Sequence, residues 1–346
     1  MPDEPLPNTA FESILESDTT ETKPKSPKSD IDQYVQQIQQ TAEKLKTDNC
    51  GRGDAKLLAT SMKELRHCFR VFAPYRGKLK VTVFGSARTK PDHPAYAAAV
   101  EFGRQMAAAG YMVITGAAAG IMEAGHIGAG RDSSFGLNIL LPFEQAANPV
   151  ILDDPKLMNM RYFFTRKLAF VKESDAVALF PGGFGTHDEA FETLTLIQTG
   201  KSHIFPLVLV DEPGGDYWAC WQRFIEDGLL KRGYISPQDQ AFYKITDSVE
   251  EAVKEVTQFY RVYHSMRYVR GDLVLRLHSR LSEAVLEKVR TEFASLLTGG
   301  TFEQTDALPA EANEPDLASY PRLRFRFDRH NHGRLRQLID FVNREG

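Results

Sequence analysis

Between residues 78 and 262 the chain alternates short apolar runs with amphipathic stretches. KVTVFGSA (80–87), YMVIT (111–115), GLNILLP (136–142), DAVALFP (175–181), FPLVLVD (205–211) and FYKIT (242–246) each read as strands without polar alternation. Between them, apolar positions recur at helical spacing over 94–109, after Gly120, over 161–172, from Gly185 and over 217–230. Strands that are apolar on both faces, each followed by a helix, predict a parallel sheet covered on both sides. The expected fold class is α/β, a doubly wound, Rossmann-like parallel sheet spanning 78–262.

The flanks follow other patterns. Ile31, Tyr34, Val35, Ile38, Ala42 and Leu45 share one face of a helix starting near Asp30, and a second helix from Asp54 carries the stripe Leu57, Leu58, Met62, Leu65, Cys68, Phe69 and Phe72. These predict a helical extension over 30–77, with the stripe of the second helix buried. Residues 1–30 hold five prolines and seven acids against three lysines, so 1–29 reads as a disordered tail. Downstream, the helix SVEEAVKEVTQFYRVYHS closes the sheet domain, and 263–346 reads as a small α+β appendage. Its parts are a strand over 268–278, a helix over 282–297, short strands at 301–305 and 322–328, and a last helix over 333–343. Alternation places Leu323, Phe325 and Phe327 inward and Arg322, Arg324 and Arg326 on the solvent face of an edge strand, the other reading of this basic stretch being contact with an anionic effector or partner.

Composition narrows the function. The 346 residues are 42% hydrophobic and 25% charged, which is globular, and 42 lysines and arginines against 46 acids leave a net charge of −4. A nucleic-acid-coating role is not expected. Three cysteines without CxxC spacing support neither a disulfide framework nor a cysteine zinc site. No apolar run approaches the roughly 18 residues of a membrane span. The first residues lack the basic and apolar regions of a secretory signal, so a cytoplasmic location without membrane or nucleic-acid partners is expected.

In doubly wound sheets, ligands bind beyond the carboxyl ends of the strands. GSAR (85–88) and GAAAGIME (116–123) follow the first two strands, but neither reads GxGxxG and no acid ends the second strand, so a dinucleotide site is poorly supported. The strand over 175–181 ends differently, in PGGFGTHDEAFE (181–192). Gly182, Gly183 and Gly185 can aim successive N–H groups at one anion, with Thr186 adding a hydroxyl at a helix N-terminus. Asp188, Glu189 and Glu192 follow within the first turns, where carboxylates can be simple dipole partners. Arg166 and Lys167 stand on the preceding helix, in MRYFFTRKLAF, where a plain reading leaves them solvated. His187, between Thr186 and Asp188, invites a general-base role, which is not expected of it. His330 and His332 lack a further ligand at metal spacing, so neither metal nor cofactor is expected.

Taken together, the RK pair, an SDA strand start and PGGxGTxxE resemble the signature of the family named after the plant LONELY GUY (LOG) protein, often mislabelled lysine decarboxylase. The resemblance covers roughly 78–262. It implies a phosphoribohydrolase that cleaves nucleoside 5′-monophosphates to free base and ribose 5-phosphate, with AMP-like nucleotides and cytokinin riboside 5′-monophosphates as substrates. It further implies that Arg166 and Glu189 are catalytic. Gly85, Ser86, Lys167, Gly182, Gly183, Phe184, Gly185, Thr186 and Thr195 would bind substrate, Glu144 would match a substrate-binding acid, and the chain would form a homodimer or larger homo-oligomer. Ala117, Ala118 and Ala119 stand where the family usually carries glycines. A different class of reading is a non-catalytic nucleotide-sensing protein on the same fold, against which the presence of both Arg166 and Glu189 speaks.

Overall fold

The structure, a computed structural model, describes residues 27–141, 146–312 and 314–346. Residues 1–26 of the predicted tail and Glu144 lie outside the described residues, and the expectation for 27–29 is corrected, since these residues open a helix. Two compact units are formed, up to Leu58 and from Ala59 onward. The first contains helix α1 (Pro27–Thr47) and the beginning of α2 (Arg52–Phe72). Ile31, Tyr34, Val35 and Ile38 of α1 are exposed. The expected burial of the α2 stripe is corrected: only Cys68 and Phe72 are buried, whereas Leu57, Leu58, Met62 and Phe69 face solvent.

Within the second unit the described residues form a seven-stranded sheet in the order β4-β3-β2-β1-β5-β6-β7, every pairing parallel. Its strands are β1 (Lys80–Phe84), β2 (Met112–Thr115), β3 (Ser134–Ile139), β4 (Leu157–Met160), β5 (Ala176–Leu179), β6 (Leu207–Val210) and β7 (Tyr243–Thr246). Their apolar runs serve two cores, because successive side chains point to opposite faces. Val81, Val83, Ala176 and Ala178 join one core with α3 (Pro94–Ala108), α4 (Ile121–Ala129) and α8 (Val249–Phe259). Phe84, Val177 and Leu179 join the other with α5 (Phe163–Glu173), α6 (Phe184–Gln198) and α7 (Tyr217–Phe224). The helix expected over 217–230 changes pitch, α7 passing into a π-helical turn at Ile225–Leu230. Chain order reverses between β1 and β5, so their carboxyl ends mark the switch point where such sheets open a crevice.

The appendage departs most from expectation. The closing helix α8 stops at Phe259, and the residues after it form β8 (Tyr263–Val269), hairpinned to β9 (Asp272–Leu277) through Arg270 and Gly271, both at positive φ. With β10 (Glu303–Thr305) and β11 (Arg322–Phe325) they make an antiparallel sheet ordered β10-β11-β9-β8, backed by α9 (Glu283–Glu292) and α10 (His332–Glu345). β11 is therefore an interior strand, and the expected solvent-facing Arg322 is corrected: it is 0% exposed. Its guanidinium Nε donates to Glu311 Oε2 at 3.0 Å, and Arg276 of β9 donates to Glu311 Oε1 at 2.7 and 2.9 Å. No helix among the described residues is long and apolar enough to cross a membrane.

Candidate active site at the switch point

Three loops meet beyond β1 and β5. Ser86 N–H donates to Pro181 O at 3.1 Å, and Ser86 O accepts from Ile121 N–H at 3.1 Å, so the turn after β1 ties together the turn after β5 and the start of α4. Close approach demands glycine at Gly182, where a Cβ would lie 2.1 Å from Thr186 Oγ1 and 3.0 Å from Ser86 N. Gly183 and Gly185 face open space instead. Their N–H groups and that of Phe184 meet no protein acceptor among the described residues, leaving the first donors of α6 free for an anion. Phe184 itself projects outward, 96% exposed.

Positioning comes from residues that motif reading did not single out. Tyr217 of α7 donates its hydroxyl to Gly182 O at 2.5 Å and faces His187 Nε2 at 2.7 Å. With the hydroxyl proton committed, His187 Nε2–H must donate, and burial lowers the basicity of this ring. Through this half-buried tyrosine His187 braces the loop. Glu64 of α2 ties down the start of α5, accepting from Arg161 N–H at 2.8 Å and from Thr165 Oγ1 at 2.6 Å, and so fixes the helix that carries Arg166. The alanine-rich turn after β2 keeps a left-handed path, with Ala117 at φ 61°. Asn148 holds it by donating from Nδ2 to Ala117 O and Ala118 O at 3.1 and 3.2 Å, and His126 Nδ1 lies 3.1 Å from the same amide. Burial pushes His126 down to about 4, so it serves as a neutral hydrogen-bonding strut. Tyr217, Glu64, Asn148 and His126 lie in none of the motifs read from the sequence, so only contact geometry reveals them.

The charged core of the site is compact. Lys167 Nζ reaches Asp188 Oδ2 at 2.9 Å, Glu189 Oε1 at 3.4 Å and Glu192 Oε2 at 2.7 Å. Burial opposes its charge, but the hydrogen bonds it donates to Glu192 and Asp188 outweigh burial and raise its pKa. Glu189 is 4% exposed, and burial pushes its carboxyl up to about 7 against the pull of Lys167 and Arg166. Arg166 is packed between Phe163 and Phe170, its guanidinium carbon 5.3 and 5.6 Å from the ring centroids. Burial lowers its pKa, Glu189 and Asp188 oppose that, and a guanidinium stays protonated throughout. Its Nε is buried without a partner among the described residues, a donor left uncommitted. Thr195 is exposed and lines a groove of about 410 Å³ with Lys167, Asp188 and Glu192. Gly85, Ser86, Arg166, Lys167, Gly182, Gly183, Gly185, Thr186 and Glu189 thus belong to one end of the sheet, with Thr195 further along the α6 face. The arrangement offers backbone donors for an anion, a fixed cation and a buried carboxylate within one crevice.

Comparison with known proteins points to the same segment. The sequence model of the family described as "Possible lysine decarboxylase" matches residues 114–256. A Mycobacterium tuberculosis protein named cytokinin riboside 5′-monophosphate phosphoribohydrolase is 34% identical over 103 residues, 30% of this chain and 52% of its own length. An Arabidopsis thaliana protein of the same name is 34% identical over 94 residues, 27% of this chain and 42% of its own. The chain spans about half the length of these curated relatives. Among solved structures, the molybdenum cofactor carrier protein of Chlamydomonas reinhardtii aligns with 52% of this chain and 97% of its own, at 20% identity and a TM-score of 0.38.

Proposed function

Since the chain belongs to the LONELY GUY (LOG) family, we propose that it is a phosphoribohydrolase that cleaves the N-glycosidic bond of AMP-like nucleoside 5′-monophosphates, cytokinin riboside 5′-monophosphates among them. The observation that carries this reading is the buried Glu189 carboxyl, poised near neutrality between Lys167 and Arg166 beside the free N–H groups that open α6. In the proposed reaction the 5′-phosphate rests on Gly182–Thr186, with Ser86 at its edge. Binding energy from this remote group holds the anomeric carbon in place. As the bond breaks, its electron pair leaves with the base and the ribose becomes cationic. Glu189 stabilises that charge and accepts a proton from the water whose oxygen adds to the anomeric carbon, a task suited to a group titrating near the working pH. Arg166 donates to the departing base or the sugar phosphate while remaining charged. Products are the free base, which takes up a proton, and ribose 5-phosphate. We read Lys167 as the residue that holds the three carboxylates in register, and Phe184 and Thr195 as peripheral substrate contacts.

We also infer a homodimer or larger homo-oligomer, because α5 exposes Phe163, Phe164 and Leu168 and the α6 turn exposes Phe184. The test of the catalytic reading is incubation with AMP and, separately, adenosine, followed by chromatography for adenine. Adenine from AMP, with far less from adenosine, is the expected result. Equal cleavage of both would remove the phosphate cradle, and no cleavage of any nucleoside 5′-monophosphate would remove the hydrolase reading.

A further inference from the structure

At the other end of the same strands, where β1 and β5 begin, lies a cavity of about 650 Å³ between the sheet domain and the appendage. Such a volume suits a ligand of nucleotide size. One wall is basic. Lys80 is 4% exposed, its ammonium donates to Lys78 O at 2.9 Å, and it forms no ion pair among the described residues. Two of its three donors are therefore uncommitted in a buried setting, which is costly without an anion. Arg76 and Lys78, exposed at the rim, likewise lack carboxylate partners among the described residues. Two acids face them: Glu173 is paired with Lys172 at 2.6 Å, and Asp175 accepts from the Lys80 N–H at 2.9 Å, its carboxyl pushed up to about 6 by burial against the pull of Lys80.

The opposite wall is aromatic. Tyr320 stacks on His264 with ring centroids 4.6 Å apart, and His278 meets Tyr320 edge-on at 5.3 Å. Burial, with His278, Arg276 and Arg322 nearby, lowers the basicity of His264, so the stack is neutral at physiological pH. Behind it, Arg322 donates to Tyr320 O, and its buried Nη2 has no partner among the described residues.

We propose that this cavity is a second ligand site, separate from the one at Glu189, that takes a nucleoside phosphate with its phosphates on Lys80, Lys78 and Arg76 and its base against His264 and Tyr320. The inference does not depend on the catalytic reading. It bears on that reading through α5, which carries Arg166 and ends at Lys172 and Glu173 in the cavity wall, about 9 Å further along at 1.5 Å per residue. The two sites share one helix.

The test is equilibrium dialysis of the full chain with labelled ADP, and separately with inorganic pyrophosphate. Two variants touch only the cavity: the double substitution Arg76→Ala with Lys78→Ala, both exposed, and Tyr320→Leu. Each is expected to weaken one class of ADP sites at least tenfold, while Arg166→Ala leaves that class intact. Retention of the parental melting temperature by the rim variant separates lost binding from lost folding. ADP binding that both variants leave unchanged overturns the proposal, as does ADP binding that only Arg166→Ala abolishes. Pyrophosphate binding as tight as ADP overturns the nucleoside part. Failure of AMP hydrolysis with intact, Lys78-sensitive ADP binding would remove the catalytic reading and keep this one.

Discussion

Two buried glutamates, one at the switch point and one in the appendage, respond to burial in opposite ways. Glu311 is held down to about 2: burial works against its charge, but hydrogen bonds from Arg322, Arg276 and the Leu308 N–H overcome it. Glu189 is also flanked by a lysine and an arginine, yet burial wins and its carboxyl rises to about 7. The difference lies in geometry rather than composition. Glu311 accepts direct, partly bidentate bonds from two guanidinium groups, whereas Lys167 stands 3.4 Å from Glu189 and spends its shorter contacts on Asp188 and Glu192. A carboxylate so completely paired is a structural rivet. One left short of partners is available for chemistry.

Breaking the rivet should have the largest effect. Glu311→Gln leaves Arg322 buried without its counter-charge and Arg276 with Glu314 as its remaining partner, and removal of one partner from such a cluster typically costs about 3–5 kcal/mol. Thermal denaturation should show a fall in melting temperature of many degrees, with AMP turnover unchanged well below the transition. In the parent, the lowered pKa of Glu311 means that its contribution is fully present above the unfolded value near 4.5 and is lost as pH falls toward about 2. The variant should therefore lose less stability than the parent on acidification. An unchanged melting temperature would mean that the cluster contributes nothing net.

The two glutamates also differ in how far sequence reasoning reaches them. Glu189 sits in a contiguous motif whose glycines, threonine and acids all serve one helix end, so local chemistry announces it. Glu311 lies in a short 3-10 turn, and only the third dimension brings it over β9 and β11. The same contact covers the outer face of β11, which is why alternation misplaced Arg322 while placing Leu323 and Phe325 correctly. The parallel strands were legible because both faces are buried. β4 was not: it is a four-residue edge strand, LMNM, whose Asn159 is exposed. The β8–β9 hairpin was hidden because the apolar positions of RVYHSMRYV continue the helical spacing of α8. Tyr217, Glu64, Asn148 and His126 act on the site from distant segments, and no spacing rule links them to it.

At the switch point, Glu189→Gln should lower AMP turnover by roughly two orders of magnitude or more, the usual consequence of losing one preorganised electrostatic group. Binding of AMP should persist, since backbone N–H groups hold the phosphate. The pH profile sharpens the assignment. If the carboxylate is the active form, kcat/KM should rise with pH and level off above about 7. Because the second ionisation of a phosphate near pH 6 also titrates in this range, Lys167→Met supplies the control. Removing the first of the cations that oppose burial should move the limb belonging to Glu189 upward and leave the phosphate limb in place. A profile that does not move with Lys167→Met would assign the limb to the substrate.

The smallest effect separates the two glutamates by the sign of their contribution to stability. In the unfolded chain Glu189 should titrate near 4.5, and in the folded chain near 7, so between these values the folded state binds more protons. Stability of the parent therefore declines as pH rises through this window, the reverse of the Glu311 case. Glu189→Gln removes the titration. Its stability relative to the parent should improve between about pH 4 and pH 8 by at most about 3 kcal/mol, the linkage value of that shift, which already contains the pull of Lys167 on the carboxylate. Urea denaturation at the two pH values measures the gap directly. A variant that loses turnover while gaining stability at high pH marks a carboxylate kept buried for its chemistry at the expense of the fold. A gap that stays flat from pH 4 to pH 8 would show that Glu189 titrates alike in both states and is only a helix-end partner.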